Sequence, residues 1–551
     1  MPYVYWKMGG MSLDNLQPRH LAGASPTVDE FYARNPYSWV NDLPGSNWQS
    51  GNMFEGTVFV PNCNMDTGVF YDPVWNDKMN INDGAHAIAL GEIYYSNPMR
   101  RLQAVEQLTL PPQYSTIPNT GAFSRFEHIW GSALFVRQMT DRYRIAEPIA
   151  TTLLLRTLVS DIGHTFGSHL GDWMFQGMGE AENQHDIELT SYLGAVGVTA
   201  ILEKHGFSPT DIIFPEINDW IESNQPDLCV DRVDYGLREM NRWNKGIADA
   251  KFDSDDFVIT PDNMLAMKDQ QRARLFAEGF LLLSQEHWSE PTHRFMLDML
   301  MLRTKLFYGN GGAPRSWVFD PDLNAKTALV PLHTIHPRDL MYVTDPAQAQ
   351  AYEFPHSDEL AIHGLMEKIA RYHRQHRWPR RSQQIAEYMD QFAEANYDSV
   401  LTAGTFSRLT DDYAYTANLE GGNFQIMTSD DADSRHDGRA IDLPLVTLKS
   451  RQVDPLVETV DGFKRLSELD PSFADRLLQH RRTMAQTYVA RLVLDDDTAR
   501  LLRDTLAQAE TNWHKRLASS RRMSPSELRS LVSVSAREIF GSYPFMTFHP
   551  Y

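Results

Sequence analysis

Ten residues, Ser160 to His169 (SDIGHTFGSH), set one aspartate and two histidines between the apolar runs LLLRTLV and LGDWMF. That context places Asp161, His164 and His169 inside the protein rather than on its surface. Burying so many titratable groups costs several kcal/mol unless each finds a partner. Natural sequences accept such a cost mostly at functional sites. The chain must therefore fold so that partners from elsewhere converge on this segment. Gly163 and Gly167 indicate a bend in the backbone there.

Three further stretches hold candidates for those partners: Arg125-Phe126-Glu127-His128, Gln184-His185-Asp186, and Asp231-Arg232-Val233-Asp234-Tyr235. Each has a plainer reading. A histidine near a helix end is commonly a surface residue or the partner of a carboxylate. Asp161 could cap a turn, and Asp231 and Asp234 could pair with Arg232 and Arg238 on a solvated helix face. His205, His287 and His293 have no such company and read as structural. It is the conjunction that points to chemistry. Carboxylate plus imidazole is a ligand set for Fe, Mn, Zn, Co or Mg rather than for soft copper. Arginines in the same stretches add a planar fork suited to phosphate oxygens.

Composition narrows the alternatives. The two cysteines, Cys63 and Cys229, form no CxxC or Cys/His cluster. That excludes a disulfide scaffold and a cysteine-built zinc site, and it suits a reducing cytoplasm. The start of the chain lacks the charged and apolar regions of a secretory signal. No apolar run approaches the roughly 18 residues of a membrane span. A formal net charge of -21 argues against nucleic acid as the main partner, because a duplex binder needs a broad basic face. A small anionic substrate remains compatible, since a few arginines and a divalent metal make a positive pocket inside an acidic protein.

At 551 residues the chain has room for two to four domains, or for one large core with additions. Residues 1–95 are rich in aromatics, Asn, Gly and Pro and read as loops with a few strands or short helices. From Pro98 helical periodicity takes over. Helices are expected at Met99 to Leu110, Arg125 to Arg144, Pro148 to Ser160, Gly167 to Gly177 and Asp186 to His205. Another starts at GFSPTDIIFPEI, with Ser208-Pro209-Thr210 as its cap. FVITPDNMLAM reads as a β-hairpin, helices return from Asp269 to about Leu306, and a further helical stretch ends near Trp378. Strands are expected around FQIMTS and LPLVTLKSRQV, with DDADSRHDGR as a surface loop between them; the last ninety residues look helical. The division is thus 1–95 irregular, 96–400 a helical core and 401–551 an α+β region. No fixed-period repeat interrupts it.

The four stretches, in their order, resemble the HD-domain metal-dependent phosphohydrolases, specifically the dNTP triphosphohydrolase branch of dGTPases and SAM-and-HD-domain enzymes. RFEH stands at 125–128, DIGHTFGSH at 161–169, HD at 185–186 and DRVDY at 231–235; MRRLQAVEQL at 99–108 resembles the helix preceding the first motif. The likeness runs from about 96 to 242 and fades after about 300. It implies a mainly α fold with an HD helical core, and His128, Asp161 and Asp231 as ligands of a divalent metal (Mn, Fe, Co, Mg or Zn). It also implies Arg125, Arg232 and Tyr235 as holders of substrate phosphates. His164, His169, His185 and Asp186 fall in the catalytic pocket, whose histidines include the candidate general acid. A homo-oligomer in the cytoplasm, acting on a nucleotide without nucleic acid or membrane as partner, completes the expectation.

One position departs from the pattern. Ser160 stands where the family has the histidine of its HD dipeptide, and a serine hydroxyl is a poor neutral metal ligand on a short side chain. A water, or a nearby imidazole such as His164, would have to fill that place. The expected function is metal-dependent hydrolysis of a nucleotide, releasing triphosphate from a (d)NTP or dephosphorylating another nucleotide. The alternative is a catalytically impaired HD protein that binds nucleotide for sensing or assembly.

Overall fold

The computed structural model describes residues 63–64, 69–72, 74–81, 87–102, 105–110, 114–117, 123–176, 183–213, 219–243, 251–310, 315–318, 328–331, 357–394, 413–419, 422–434, 440–445 and 451–519. Within them the fold is mainly α, with small sheets and no helix long and apolar enough to cross a membrane.

A three-stranded antiparallel sheet, β1 (Cys63–Asn64), β2 (Val69–Asp72) and β3 (Asp77–Asn80), precedes helices α1 (Ala87–Tyr95) and α2 (Asn97–Arg101). The helical core follows: α3 (Arg125–Arg142), α4 (Glu147–Ser160), α5 (Leu170–Gln176), α6 (Gln184–Ala195), α7 (Val198–Lys204), α8 (Pro209–Ile213) and α9 (Val230–Trp243). Their ends follow local chemistry. Pro148 sits in the first turn of α4, where its missing N–H costs nothing. Ser208 accepts from the Asp211 N–H at the start of α8, as its cap position requires. Gly197, at φ +85°, breaks the single helix expected from Asp186 to His205 into α6 and α7. A left-handed residue ends one helix and redirects the next, and glycine takes that conformation without a Cβ clash.

The hairpin in FVITPDNMLAM forms as β4 (Phe257–Ile259) and β5 (Leu265–Met267), turning at Asn263 with φ +65°. Helix α10 (Gln270–Leu283) is capped by Asp269, and α11 (Pro291–Gly309) by Glu290, with a wide helical turn between them at Ser284–Trp288. A two-stranded pair, β6 (Arg315–Val318) and β7 (Ala328–Pro331), leads to α12 (Ser357–Tyr372) and α13 (Trp378–Glu394), so this helical stretch continues past Trp378.

Three expectations need correction. The helix expected at Met99 to Leu110 ends near Arg101. Residues 105–110 instead pair with the approach to α3: Arg125 N donates to Val105 O at 2.8 Å and Gln107 N to Phe123 O at 2.9 Å. In DDADSRHDGR, Ser429–Ser434 is a short helix, α14, and 435–439 lie outside the described residues. The last ninety residues are not all helical. Between α15 (Leu466–Leu469) with α16 (Pro471–Met484) and α17 (Asp496–Ser519) runs β13 (Tyr488–Leu494), the second strand of the antiparallel sheet β10-β13-β9-β8. The others are β8 (Tyr415–Leu419), β9 (Gly422–Thr428) and β10 (Ala440–Pro444). Alternation of buried residues in YVARLVL is masked because the strand is central and covered, so periodicity alone could not separate it from a helix.

The C-terminal part also returns to the first core. β11 (Leu456–Thr459) pairs in parallel with β5 and antiparallel with β12 (Gly462–Arg465). Val453, Val457, Leu466, Phe473 and Leu477 pack into the same apolar cluster as Trp130, Leu155 and Val233. A second cluster joins α11, α12, α17 and the β10-β13-β9-β8 sheet.

His287, His373 and His480 are enclosed in this fabric, each at most 4% exposed. Burial holds His287 and His373 down to about 4 and His480 to about 3. As pH falls below about 6.5, the unfolded chain takes up protons on these rings that the folded chain refuses. Their stabilising contribution is complete above that pH and is lost on the way down to about 4. At about 1.4 kcal/mol per unit and group, moving from pH 7 to 5 should cost about 3–6 kcal/mol. Urea unfolding at the two pH values measures it; equal midpoints would sink the assignment of neutral buried rings.

Candidate metal centre and catalytic pocket

The first site residues are placed by a capping box. Ser124 Oγ accepts from Glu127 N at 3.2 Å, and Glu127 Oε2 accepts from Ser124 N at 3.0 Å. This pins the first turn of α3, so Arg125 and His128 share one face, three residues apart. Asp161 follows directly on α4. The bend after it is held by Arg101, whose guanidinium donates to the carbonyls of Ile162 and His164. Gly167 and Ser168, at φ +60° and +58°, complete the turn that brings His169 back beside His164. Asp231, Asp234, Tyr235 and Arg238 occupy one face of α9, the face that packs on α3. That face is not solvated: Asp234 and Arg238 are 0% and 2% exposed.

The three expected metal ligands meet. His128 Nε2 lies 3.0 Å from Asp231 Oδ1 and 3.7 Å from Asp161 Oδ2. Adjacent ligands at about 2.1 Å from one ion stand roughly 3.0–3.4 Å apart, so this spacing fits a single divalent metal. His128 Nδ1 is bonded to Asp234 Oδ2 at 2.8 Å, which turns Nε2 towards the two carboxylates. Burial disfavours a charged His128, but its bonds to Asp231 and Asp234 outweigh that and push it up to about 10. A proton thus sits where the donor set calls for a cation, and a metal would displace it. Asp161 needs no such exchange, because it is already ionised. Burial opposes its charge, yet Arg125 above all holds it well below the usual carboxylate range.

Asp234 has more partners than its place in DRVDY suggests. It accepts from Trp75 Nε1 at 2.7 Å and from Arg238 Nε at 2.6 Å, while Arg238 also reaches Asp72. Trp75 and Asp72 come from the β2–β3 hairpin, within the region read as irregular. Gly131 makes room for Asp234 and Arg238: a Cβ there would stand 2.5 Å from Asp234 Oδ1 and collide with Arg238 Nη2.

Beside His128, Asp161 and Asp231 lies a histidine cluster. His164 stacks on His185 with centroids 3.7 Å apart, and His169 meets His164 edge-on at 5.0 Å. Asp172, three residues after His169 on α5, accepts from His169 Nδ1 at 3.0 Å and His185 Nδ1 at 2.9 Å. Burial opposes ionisation of Asp172, but His185 and His169 hold it ionised. In turn Asp172, above all, overcomes the burial of His185 and raises it to about 9. His164 is driven the other way, well below its ordinary value, by burial and then by Arg125 and His185. A charged imidazole is therefore stacked on a neutral one. These four residues could themselves hold an ion, their ligand atoms all within 4.8 Å. Asp172 is already engaged by both Nδ1 atoms, however, which makes it an orienting carboxylate.

Arg125, His164, His169, His185, Arg232 and Tyr235 border one cavity of about 440 Å³ with His128, Asp161, Asp231 and Asp186. Arg125 Nη1 contacts Asp161 Oδ2 at 2.5 Å and its other arm reaches Ser168 Oγ. Arg232 lines the wall, but its guanidinium donates to Asp227 O at 2.7 Å and to Ser223. Ser160 also borders the cavity; its hydroxyl is turned back onto Thr157 O at 2.9 Å. Asp186 is exposed and lies 3.5 Å from His185 Nε2. Glu222, Cys229 and Asp231 form another set close enough for an ion, but burial pushes the Cys229 thiol up to about 12, out of the thiolate form a ligand needs.

Sequence reading missed Asp172, Trp75 and Arg451, and gave Asp234 no role beyond pairing with an arginine. Asp172 carried a signal, the His-x-x-Asp spacing that puts both on one helical turn. Arg451 carried none, standing 282 positions from His169, whose Nε2 it approaches at 3.5 Å.

No family model matches the chain. It is 27% identical over 218 residues to a protein of Cordyceps militaris named metal-dependent phosphohydrolase, covering 38% of this chain and 59% of that one. An uncharacterized Bacillus subtilis protein is 30% identical over 172 residues, covering 30% and 49%. The chain therefore spans about half to three-fifths of these relatives' lengths. Two solved structures align over most of their length: a hypothetical protein of Aquifex aeolicus (TM-score 0.43, 15% identity, 80% of this chain, 99% of that one) and a phosphohydrolase of Bacteroides thetaiotaomicron (0.42, 14%, 77%, 99%). The His/Asp site, with a donor set fit for a divalent metal, and the named relative together support an HD-type, metal-dependent phosphohydrolase likeness for this chain.

Proposed function

We propose that the chain hydrolyses a phosphate ester of a nucleotide, releasing triphosphate from a (d)NTP or dephosphorylating a related nucleotide. The observation that carries this reading is the convergence of His128 Nε2 on Asp231 and Asp161, with Arg125 and the His164/His169/His185 cluster bordering the same cavity. His128, Asp161 and Asp231 would hold the metal, with His164 Nε2, 3.4 Å from Asp161 Oδ1, beside them. When bound, the metal supplies an activated nucleophile and charge stabilisation at phosphorus. Arg125 neutralises charge on the phosphoryl oxygens. Tyr235 packs edge-on to His128 and walls the cavity. His185 and His169, aligned by Asp172, are the candidates to protonate the leaving oxygen. A cytoplasmic homo-oligomer belongs to the same proposal.

Metal analysis of purified protein, with a nucleotide screen reading phosphate and triphosphate release, tests it. Bound nucleotide without hydrolysis at saturating metal would favour the alternative of a catalytically impaired HD protein for sensing or assembly. Ser160 is the observation behind that alternative, since its hydroxyl faces its own helix rather than the metal ligands.

Two carboxylates and one imidazole hold a hard or borderline ion with water completing its shell. One metal per chain is expected, partly stripped by purification and restored by Mn, Fe, Co or Mg. Ser160→His should tighten binding by about 10–100-fold, the scale of losing or gaining a supporting ligand. A titration showing no tightening would mean that position 160 has drifted away from the ion.

A further inference from the structure

A second, smaller compartment of about 80 Å³ adjoins the cavity, walled by Trp173, Trp288, Leu297 and Glu239. Five residues border both compartments: Gln107, Arg125, His169, Tyr235 and Arg451. A ligand extending from the metal ligands into the second compartment must pass among them. Arg125 stands on the metal side, against Asp161. Arg451 stands against the candidate proton donor, with Nη2 3.5 Å from His169 Nε2 and its guanidinium 5.9 Å from the Trp288 ring centroid. Its charge also reaches the Tyr235 hydroxyl.

Arg451 is not a stray surface side chain. The backbone that follows it is tied down: Gln452 N donates to Gln225 Oε1 at 3.3 Å and Asp454 N to Pro226 O at 2.9 Å. Arg481 Nε on α16 donates to Gln452 Oε1 at 2.9 Å, and buried His480 hydrogen-bonds to the Arg451 backbone. β11, five residues on, is locked into the sheet with β5. The fold therefore brings a fixed cation to the junction from a segment remote in sequence. Its guanidinium stacks near an indole and faces an imidazole and a phenol. A planar fork held so, lining the same two compartments as Arg125, is a geometry for anion oxygens.

We propose that Arg451 is a substrate-binding residue that grips phosphate oxygens across His169 from Arg125, so that a chain of phosphoryl groups is held between the two arginines. This rests on the phosphohydrolase reading above and adds a contact that none of the four motifs contains. It also makes the pocket composite: the motif helices supply metal ligands and histidines, and the segment entering β11 supplies the second arginine.

The probe is inorganic tripolyphosphate, as its magnesium complex, titrated calorimetrically into metal-loaded full-length protein. Arg451→Gln should weaken binding by about 10–100-fold, the scale of losing a hydrogen bond to a charged group. Arg451→Lys, which keeps the charge, should bind at least several-fold more tightly than Arg451→Gln. The dependence of affinity on salt should flatten in Arg451→Gln and stay steep in Arg451→Lys. Metal content and unfolding midpoint should match the wild type in both. Unchanged affinity in Arg451→Gln, or a lysine variant no better than the glutamine one, would overturn the role of Arg451 while leaving the phosphohydrolase reading in place. Wild-type protein that holds metal but binds no tripolyphosphate would overturn both.

Discussion

Replacing His185 by alanine is expected to lower kcat by roughly 10²–10⁴, with metal content unchanged. The expectation comes from the way Asp172 shares its Oδ2 between two imidazole rings. One ionised, buried carboxylate accepts from the Nδ1 of both His185 and His169, so both rings carry Nε2 towards the cavity. Held at about 9, His185 is protonated at neutral pH, the state a proton donor needs before the leaving oxygen departs. His164, stacked on it and kept neutral, cannot serve in that state. His169, next to Arg451, is the other candidate, and His169→Ala should be measured beside it. Whichever replacement costs more identifies the donor. Loss of metal together with activity would instead make that histidine a ligand, an outcome the compact His164/His169/Asp172/His185 cluster allows. Full activity in both variants would remove the acid assignment.

Asp234→Ala is expected to destabilise the protein by about 3–5 kcal/mol and to weaken metal binding by about 10–100-fold. Asp234 is fully enclosed, and it answers three donors at once: His128, Trp75 and Arg238. Removing it leaves the Arg238 guanidinium buried with Asp72 alone, and charges stripped of a partner are more costly than the intact pair is stabilising. It also frees the His128 ring to rotate, so Nε2 no longer points at Asp231 and Asp161. Asp234→Asn keeps the shape and an acceptor for His128 Nδ1, and should recover much of the stability but less of the metal affinity. Chemical denaturation and metal titration on the three proteins separate the effects. A stability change under about 1 kcal/mol with unaltered metal affinity would show that the hairpin and α3 hold His128 without Asp234.

The four motif stretches were legible because their chemistry is local. RFEH contains its own capping box, so the first turn of α3 and the shared face of Arg125 and His128 follow from four residues. DIGHTFGSH advertises its bend through Gly167, and its buried titratable groups stand out against apolar neighbours. The β4–β5 hairpin was readable from Pro261-Asp262-Asn263 for the same reason. Mainly α character followed from apolar spacing over many turns, where small errors average out.

What local spacing could not supply was the identity of partners brought from a distance. Whether DRVDY makes a solvated face or a buried ion network depends on what covers α9, and the cover is α3 with Trp75 and Asp72 from the β2–β3 hairpin. Nothing in the aromatic, Gly- and Pro-rich early region shows that two of its side chains join the network of Asp234 and Arg238 that holds His128. β13 hid for a related reason: a central strand covered on both faces loses the alternation that marks strands. Arg451 reaches His169 only because β11 pairs with β5, a contact between strands nearly two hundred positions apart. Sequence alone thus singled out the titratable side chains of the four stretches that meet in the pocket, through residue type and spacing within single helical turns. Tertiary structure decided their protonation, orientation and company, because those depend on burial and on charges that approach through space rather than along the chain.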